Sequence, residues 1–210
     1  MVGPDGGLRM EGVRTTSSWP LTELVHWTFA AGFLLLGLVL LAETIVGREV
    51  FAMRRWRMYL WPSIAFGIGV ALWPVSVFFT NSTIHMLAHA SWAEVAMLAG
   101  AVQLALVRGK LTSRWWTLSL SFMLLVSAAA FLIHEQNPWL FSRAAFLHHA
   151  IGWTLLGAAI FPLGQVLQPR RFGWSAGFAM TWIVLAVMLF ADRDVAPIFG
   201  HLSDLAGGPR

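Results

Sequence analysis

Six long apolar stretches limit what this chain can fold into. Each is long enough to cross a hydrocarbon layer of about 30 Å at about 1.5 Å per helical residue. They lie at Leu21–Val46, Met58–Phe79, Ile84–Val107, Trp115–His134, Ala145–Leu167 and Trp174–Ala191. Apolar residues continue over both faces of every stretch, which excludes the alternating pattern of a β-barrel. The sequence therefore predicts an all-α integral membrane bundle of six transmembrane helices.

The composition agrees with this fold class. Only 11% of the 210 residues are charged, whereas soluble domains carry about 25%. Residues 1–20 are predicted to form a polar outer tail, residues 21–191 the transmembrane domain, and residues 192–210 a short outer tail. The first apolar stretch is too long for a signal peptide and lacks a clear cleavage site, so we predict that it is retained.

Basic residues cluster in the loops that follow the first, third and fifth helices. Nine of the fourteen lie there: Arg48, Arg54, Arg55, Arg57, Arg108, Lys110, Arg114, Arg170 and Arg171. The positive-inside rule predicts that these loops are cytoplasmic and that both termini lie outside. We predict a multi-pass protein of the bacterial inner membrane, with both termini in the periplasm or its equivalent. The net charge of +4 is then a topology signal rather than a sign of nucleic-acid binding.

All seven histidines fall in the outer half of this predicted topology. They are His26, His85, His89, His134, His148, His149 and His201. Ionisable residues at membrane depth are rare and are usually functional. The chain has no cysteine, which excludes thiolate metal sites, iron–sulfur clusters and thioether-linked haem.

The spacing of these histidines suggests a metal centre. His85 and His89 are four residues apart and share one helix face, while His148 and His149 lie about 100° apart, so one of them is expected to face the same centre. Imidazole binds copper, zinc, iron and haem, and a thioether favours Cu(I). The pattern predicts a copper site, with these candidate ligands: His85, Met86, His89, His134, His148, His149 and, as an additional ligand or haem axial group, His26.

A single acid lies within the third predicted helix. Glu94 is near the middle of that helix and about 140° around it from His89. A carboxylate at this depth is costly unless it is protonated, paired or facing water. A proton path and an interhelical hydrogen bond to Gln103 or Ser121 are both open interpretations.

Two segments resemble the bacterial CtaG-type cytochrome c oxidase assembly factors. RRWRMYLWPSIAFGIGVALWPVSVFFTNSTIHMLAHASW resembles the family's basic inner loop, apolar helix and outer HMxxH motif, which reads HMLAH here at residues 85–89. FLIHEQNPWLFSRAAFLHHAIGWTLLGAAIF resembles the family's later pattern, with His134 ending one helix and His148 and His149 near the start of the next. The resemblance covers roughly residues 48–167. It implies an outward-facing copper site that helps to deliver copper to a respiratory terminal oxidase.

Other functions remain open at this point. One is a b-type cytochrome subunit, with haem b held between His148 and either His26 or His89, exchanging electrons with quinone. Another is a structural subunit of a larger membrane complex, which would hold no stoichiometric metal or pigment. A membrane-embedded metal oxidase is a weaker option, because it needs more ligands than the outer layer clearly supplies. On the leading hypothesis the protein binds copper and exchanges it with a partner, without catalytic turnover.

Overall fold

The computed structural model describes residues 21–78, 83–133 and 142–191, and their side chains except at 21–23, 77–78, 83–85 and 142–145. Every regular element in this part of the chain is helical. The α-helices are α1 (Leu21–Val46), α2 (Arg48–Ala52), α3 (Leu60–Phe78), α4 (Thr83–Val107), α5 (Leu118–Ile133), α6 (Ser142–Ala158), α7 (Ile160–Leu167) and α8 (Phe172–Ala191). Two 3₁₀ helices cover Arg55–Tyr59 and Arg114–Thr117. The predicted tails lie outside the described residues.

Six segments of the described chain are long and apolar enough to cross a membrane. Five of them are centred on α1, α3, α4, α5 and α8, and α6 together with α7 forms the remaining one. The prediction of a six-helix all-α membrane bundle is thereby confirmed. Because the number of spans is even, α1 begins and α8 ends at the same end of the bundle. We call this end, which carries His26, the histidine end, and the opposite end, which carries Arg48, the basic end.

The fifth predicted span is divided between two helices. Pro162 lies in the first turn of α7, where its ring would clash with the carbonyl of residue 158 in a continuous helix. Ser121 of α5 donates a hydrogen bond of 2.8 Å to the carbonyl of Ala159, the residue between the two helices. A backbone group at the break is thus paired inside the membrane, where water cannot satisfy it.

Glycines allow two pairs of helices to approach closely. A Cβ atom on Gly37 of α1 would lie 3.1 Å from the Ala179 carbonyl oxygen of α8, and one on Gly69 of α3 would lie 2.7 Å from the Ala93 carbonyl oxygen of α4. Apolar side chains gain little from leaving lipid, so membrane helices associate largely through van der Waals packing of this kind. The close approach at Gly37 makes the first span, α1, a neighbour of the last described span, α8.

Substituting Gly69 by alanine is expected to destabilise the bundle by about 1–3 kcal/mol, the usual cost of overpacking. The added methyl group would press on the backbone of α4, which cannot move aside as a flexible side chain can. Gly67→Ala is the matched control, because a Cβ there has nothing within 4 Å. The measurement is thermal unfolding of both variants in one detergent, and equal midpoints would contradict the close α3–α4 contact.

Candidate metal centre

A cavity of about 110 Å³ lies inside the bundle toward the histidine end. Three histidines from three different spans line it: His26 of α1, His89 of α4 and His148 of α6. His148 is only 8% exposed, and the other two are half-buried. Helix order around the bundle therefore brings together side chains that are more than 120 residues apart in the sequence.

Two of these imidazoles are in direct contact. The ring centroids of His26 and His148 lie 6.3 Å apart, with the ring planes at 66° to each other. A metal–nitrogen bond of about 2 Å, plus about 1 Å from nitrogen to ring centre, places two imidazoles on one ion no more than about 6 Å apart between centres. The observed separation of 6.3 Å slightly exceeds that limit, so the two rings would have to move closer before both could bind one ion.

Aromatic rings connect the third histidine to this pair. The ring of His89 lies 4.8 Å from Trp92, and Trp92 stacks on Phe131 at 4.2 Å. Phe131 in turn lies 5.6 Å from His148. The indole N–H of Trp92 donates to the Ser127 carbonyl at 3.3 Å, which fixes the indole between α4 and α5. The rings form a rigid, largely apolar wall that limits the access of water to the imidazoles.

Trp182 of α8 adds a polar donor to this wall. The residue is 7% exposed and lines the cavity. Its indole nitrogen is buried and has no hydrogen-bond partner among the residues that the structure describes. Buried indole N–H groups usually find an acceptor.

The other predicted ligands have different positions. His149 follows His148 directly but is exposed, so of the two adjacent histidines His148 is the one that lines the cavity. Met86 is 38% exposed at the same end and is not part of the cavity lining. His85 belongs to α4, but its side chain is outside those described, and His134 and His201 lie outside the described residues altogether.

Within the described ranges, no group of three or more histidine, cysteine, aspartate or glutamate side chains is close enough to form a complete ion site. The contacting pair of His26 and His148, with His89 on the same cavity, would be an incomplete ligand set for an ion. Residues His85 and His134 are the remaining imidazole candidates at this end, and their side chains lie outside the described set. The chemistry of the described donors suits copper, zinc or iron, all of which accept imidazole.

Glu94 does not belong to this centre. Its side chain is exposed on the outer surface of α4, near the middle of the span. Both of its proposed partners are engaged elsewhere: the amide of Gln103 donates to the Ser119 hydroxyl at 3.3 Å, and Ser121 donates to Ala159. Gln103 lies on α4 itself, so Ser121 is the one of the two that could have bonded Glu94 between helices, and its hydroxyl donates to Ala159 instead. Glu94 faces the outside of the bundle.

Sequence reasoning did not identify the aromatic residues of the site. Trp92 lies three residues after His89, so helical spacing already places the two on one face. Phe131 and Trp182 carry no comparable signal, because nothing in the sequence indicates that α5 and α8 face α4 and α6 at this depth.

The chain was also compared with known proteins. No protein-family model matches it, and neither a curated protein nor a solved structure shows significant similarity to it.

Proposed function

We propose that this protein is a membrane copper-binding protein whose ion is held by histidines at one end of the bundle. The observation that carries the proposal is the convergence of His26, His89 and His148 from three spans on one internal cavity. Imidazoles at membrane depth are costly without a role. Three of them lining one cavity are most economically explained by a shared ligand.

The donor set and the cavity volume both favour a small ion. No carboxylate or thiol is present among the described residues that line the cavity, so its candidate ligands are imidazoles, which bind copper well. The volume of about 110 Å³ accommodates an ion with a few water molecules. It is smaller than the roughly 300–1,000 Å³ that larger organic ligands occupy. This volume supports a small ion over a haem group.

Each residue has a distinct part in this proposal. His26 and His148 would hold the ion between them, and His89 would complete the described ligand set. Trp92 and Phe131 exclude water and fix the position of the His89 and His148 rings through their contacts. Met86, exposed at the same end, offers a thioether that favours Cu(I) and suits ligand exchange with a partner, with His85 and His134 as further candidates.

The membrane orientation and the partner in this proposal are inferred from the sequence. The positive-inside rule would place the basic end in the cytoplasm and the histidine end in the periplasm of a bacterial inner membrane. The resemblance to oxidase assembly factors suggests delivery of copper to a respiratory oxidase. On this proposal the protein binds and transfers an ion, and no reaction is catalysed.

The test combines elemental analysis with visible spectroscopy on protein purified in mild detergent. We expect about one copper per chain. We also expect no haem bands in the reduced-minus-oxidised difference spectrum. A stoichiometric haem spectrum would replace this proposal with the b-type cytochrome. Protein that retains neither metal nor pigment after incubation with Cu(I) under a reducing buffer would favour a structural subunit.

A further inference from the structure

A second cavity opens at the basic end of the bundle and has a volume of about 730 Å³. It lies among α1, α3, α4, α5, α7, α8 and the short helices and loops at this end, and it shares no lining residue with the histidine cavity. Its volume is within the range of about 300–1,000 Å³ that is typical of small-molecule sites. The two cavities are therefore separate sites at opposite ends of the bundle.

The charge of this second cavity is strongly positive. Four arginines line it, and Glu43 is the single carboxylate among its described lining residues, which leaves an excess of three positive charges. The arginines are Arg48, Arg114, Arg170 and Arg171. Guanidinium groups bind phosphate oxygens in a bidentate manner, with better geometry than an ammonium group. The cavity is therefore suited to an anion that carries phosphate.

One of these arginines is already held in place. The Nη1 group of Arg171 donates to Gln168 Oε1 at 3.2 Å, and its guanidinium lies 5.7 Å from the Trp174 ring centroid. The same Gln168 oxygen accepts a hydrogen bond from the Trp174 indole at 3.1 Å. A side chain fixed before binding loses less conformational entropy when the ligand arrives.

Glu43 provides a second requirement for the ligand. Its carboxylate interacts with the Trp61 side chain and with the charge of Arg48. Its Oε2 atom is nevertheless buried, with no hydrogen-bond partner in the described part of the chain. Buried polar atoms are nearly always paired. A ligand hydroxyl group beside the phosphate would donate the missing hydrogen bond.

The inner wall of the cavity is apolar. Leu120, Val166 and Phe178 line it and are buried in the bundle. Basic pockets between transmembrane helices on the cytoplasmic side commonly bind anionic lipid headgroups. We propose that this cavity binds an anionic glycerophospholipid, with its phosphate on the arginines, a headgroup hydroxyl on Glu43 and acyl chain along the apolar wall. Phosphatidylglycerol has this chemistry.

The test is native mass spectrometry of the full chain in detergent, titrated with phosphatidylglycerol and, separately, with phosphatidylcholine. The informative variant is Arg170→Gln/Arg171→Gln, and the matched control is Arg54→Gln/Arg55→Gln. The control removes the same charge from the same end at residues that are equally exposed, but Arg54 and Arg55 do not line the cavity. Arg170→Gln alone is used if the double variant is not monodisperse.

We expect phosphatidylglycerol to bind the wild type and the control alike and to bind the double variant about 25-fold more weakly, at about fivefold for each arginine. Phosphatidylcholine should bind at least tenfold more weakly than phosphatidylglycerol. The proposal would be overturned if the two double variants lost phosphatidylglycerol binding to the same extent, or if the wild type bound the two lipids equally. Displacement of the lipid by millimolar inorganic phosphate would overturn the lipid assignment and identify a free phosphate site.

Discussion

Replacing His148 by alanine is expected to lower copper affinity more than a hundredfold. Substitutions that only disturb the partners of a metal ligand typically cost 10–100-fold, so loss of a ligand itself should cost more. His148 is buried, contacts His26 and lines the cavity. The measurement is copper per chain after competition with a chelator of known affinity, on protein that remains monodisperse in gel filtration.

The neighbouring residue supplies the control for this experiment. His149 has the same side chain one position further along α6, but it is exposed rather than part of the cavity wall. His149→Ala should keep the wild-type copper content. If His148→Ala and His149→Ala retain equal amounts of copper, the proposed site is wrong even if the protein binds copper elsewhere.

Replacing Glu94 by leucine is expected to favour membrane insertion of α4 by about 3 kcal/mol, or about a hundredfold in the equilibrium. A charged residue at the centre of a span opposes insertion, whereas leucine favours it. Glu94 is exposed at mid-span, and its sequence-predicted partners are bonded elsewhere. An acceptor site for enzymatic modification is placed in the loop after α4 of the full chain. The fraction of chains modified at this site shows on which side of the membrane the loop lies, and therefore whether α4 has inserted.

Glu49 is the appropriate comparison for that substitution. It is also exposed, but it lies in the short helix α2 outside the six spans. Glu49→Leu should leave insertion of α4 unchanged. A decrease in insertion on Glu94→Leu would contradict a lipid-facing carboxylate and would indicate that another helix covers this position.

The sequence was sufficient to predict the spans because bilayer thickness fixes how long an apolar helix must be. It did not predict the break between α6 and α7. Proline is tolerated inside membrane helices, and whether Pro162 divides a span depends on a partner such as Ser121, which comes from another helix. Local sequence carries no information about that partner.

The candidate site was only partly predictable for a similar reason. Topology alone places the histidines at one end, and a separation of 100° implies that His148 and His149 face different directions. Which of the two faces inward depends on the order of the helices around the bundle. Strongly apolar helices give little indication of that order, because lipid and protein are both apolar surroundings. The roles of Phe131 and Trp182 depend on it as well.

The contact between α1 and α8 has a consequence for the order of events during biosynthesis. The histidine cavity takes His26 from the first span and Trp182 and Leu189 from the last. When α1 leaves the ribosome, the helix that closes the cavity beside it has not yet been translated. A nascent chain that ends before Phe172 carries every histidine of the cavity but not its closed wall. Loading of an ion into the finished cavity therefore follows the translation of α8.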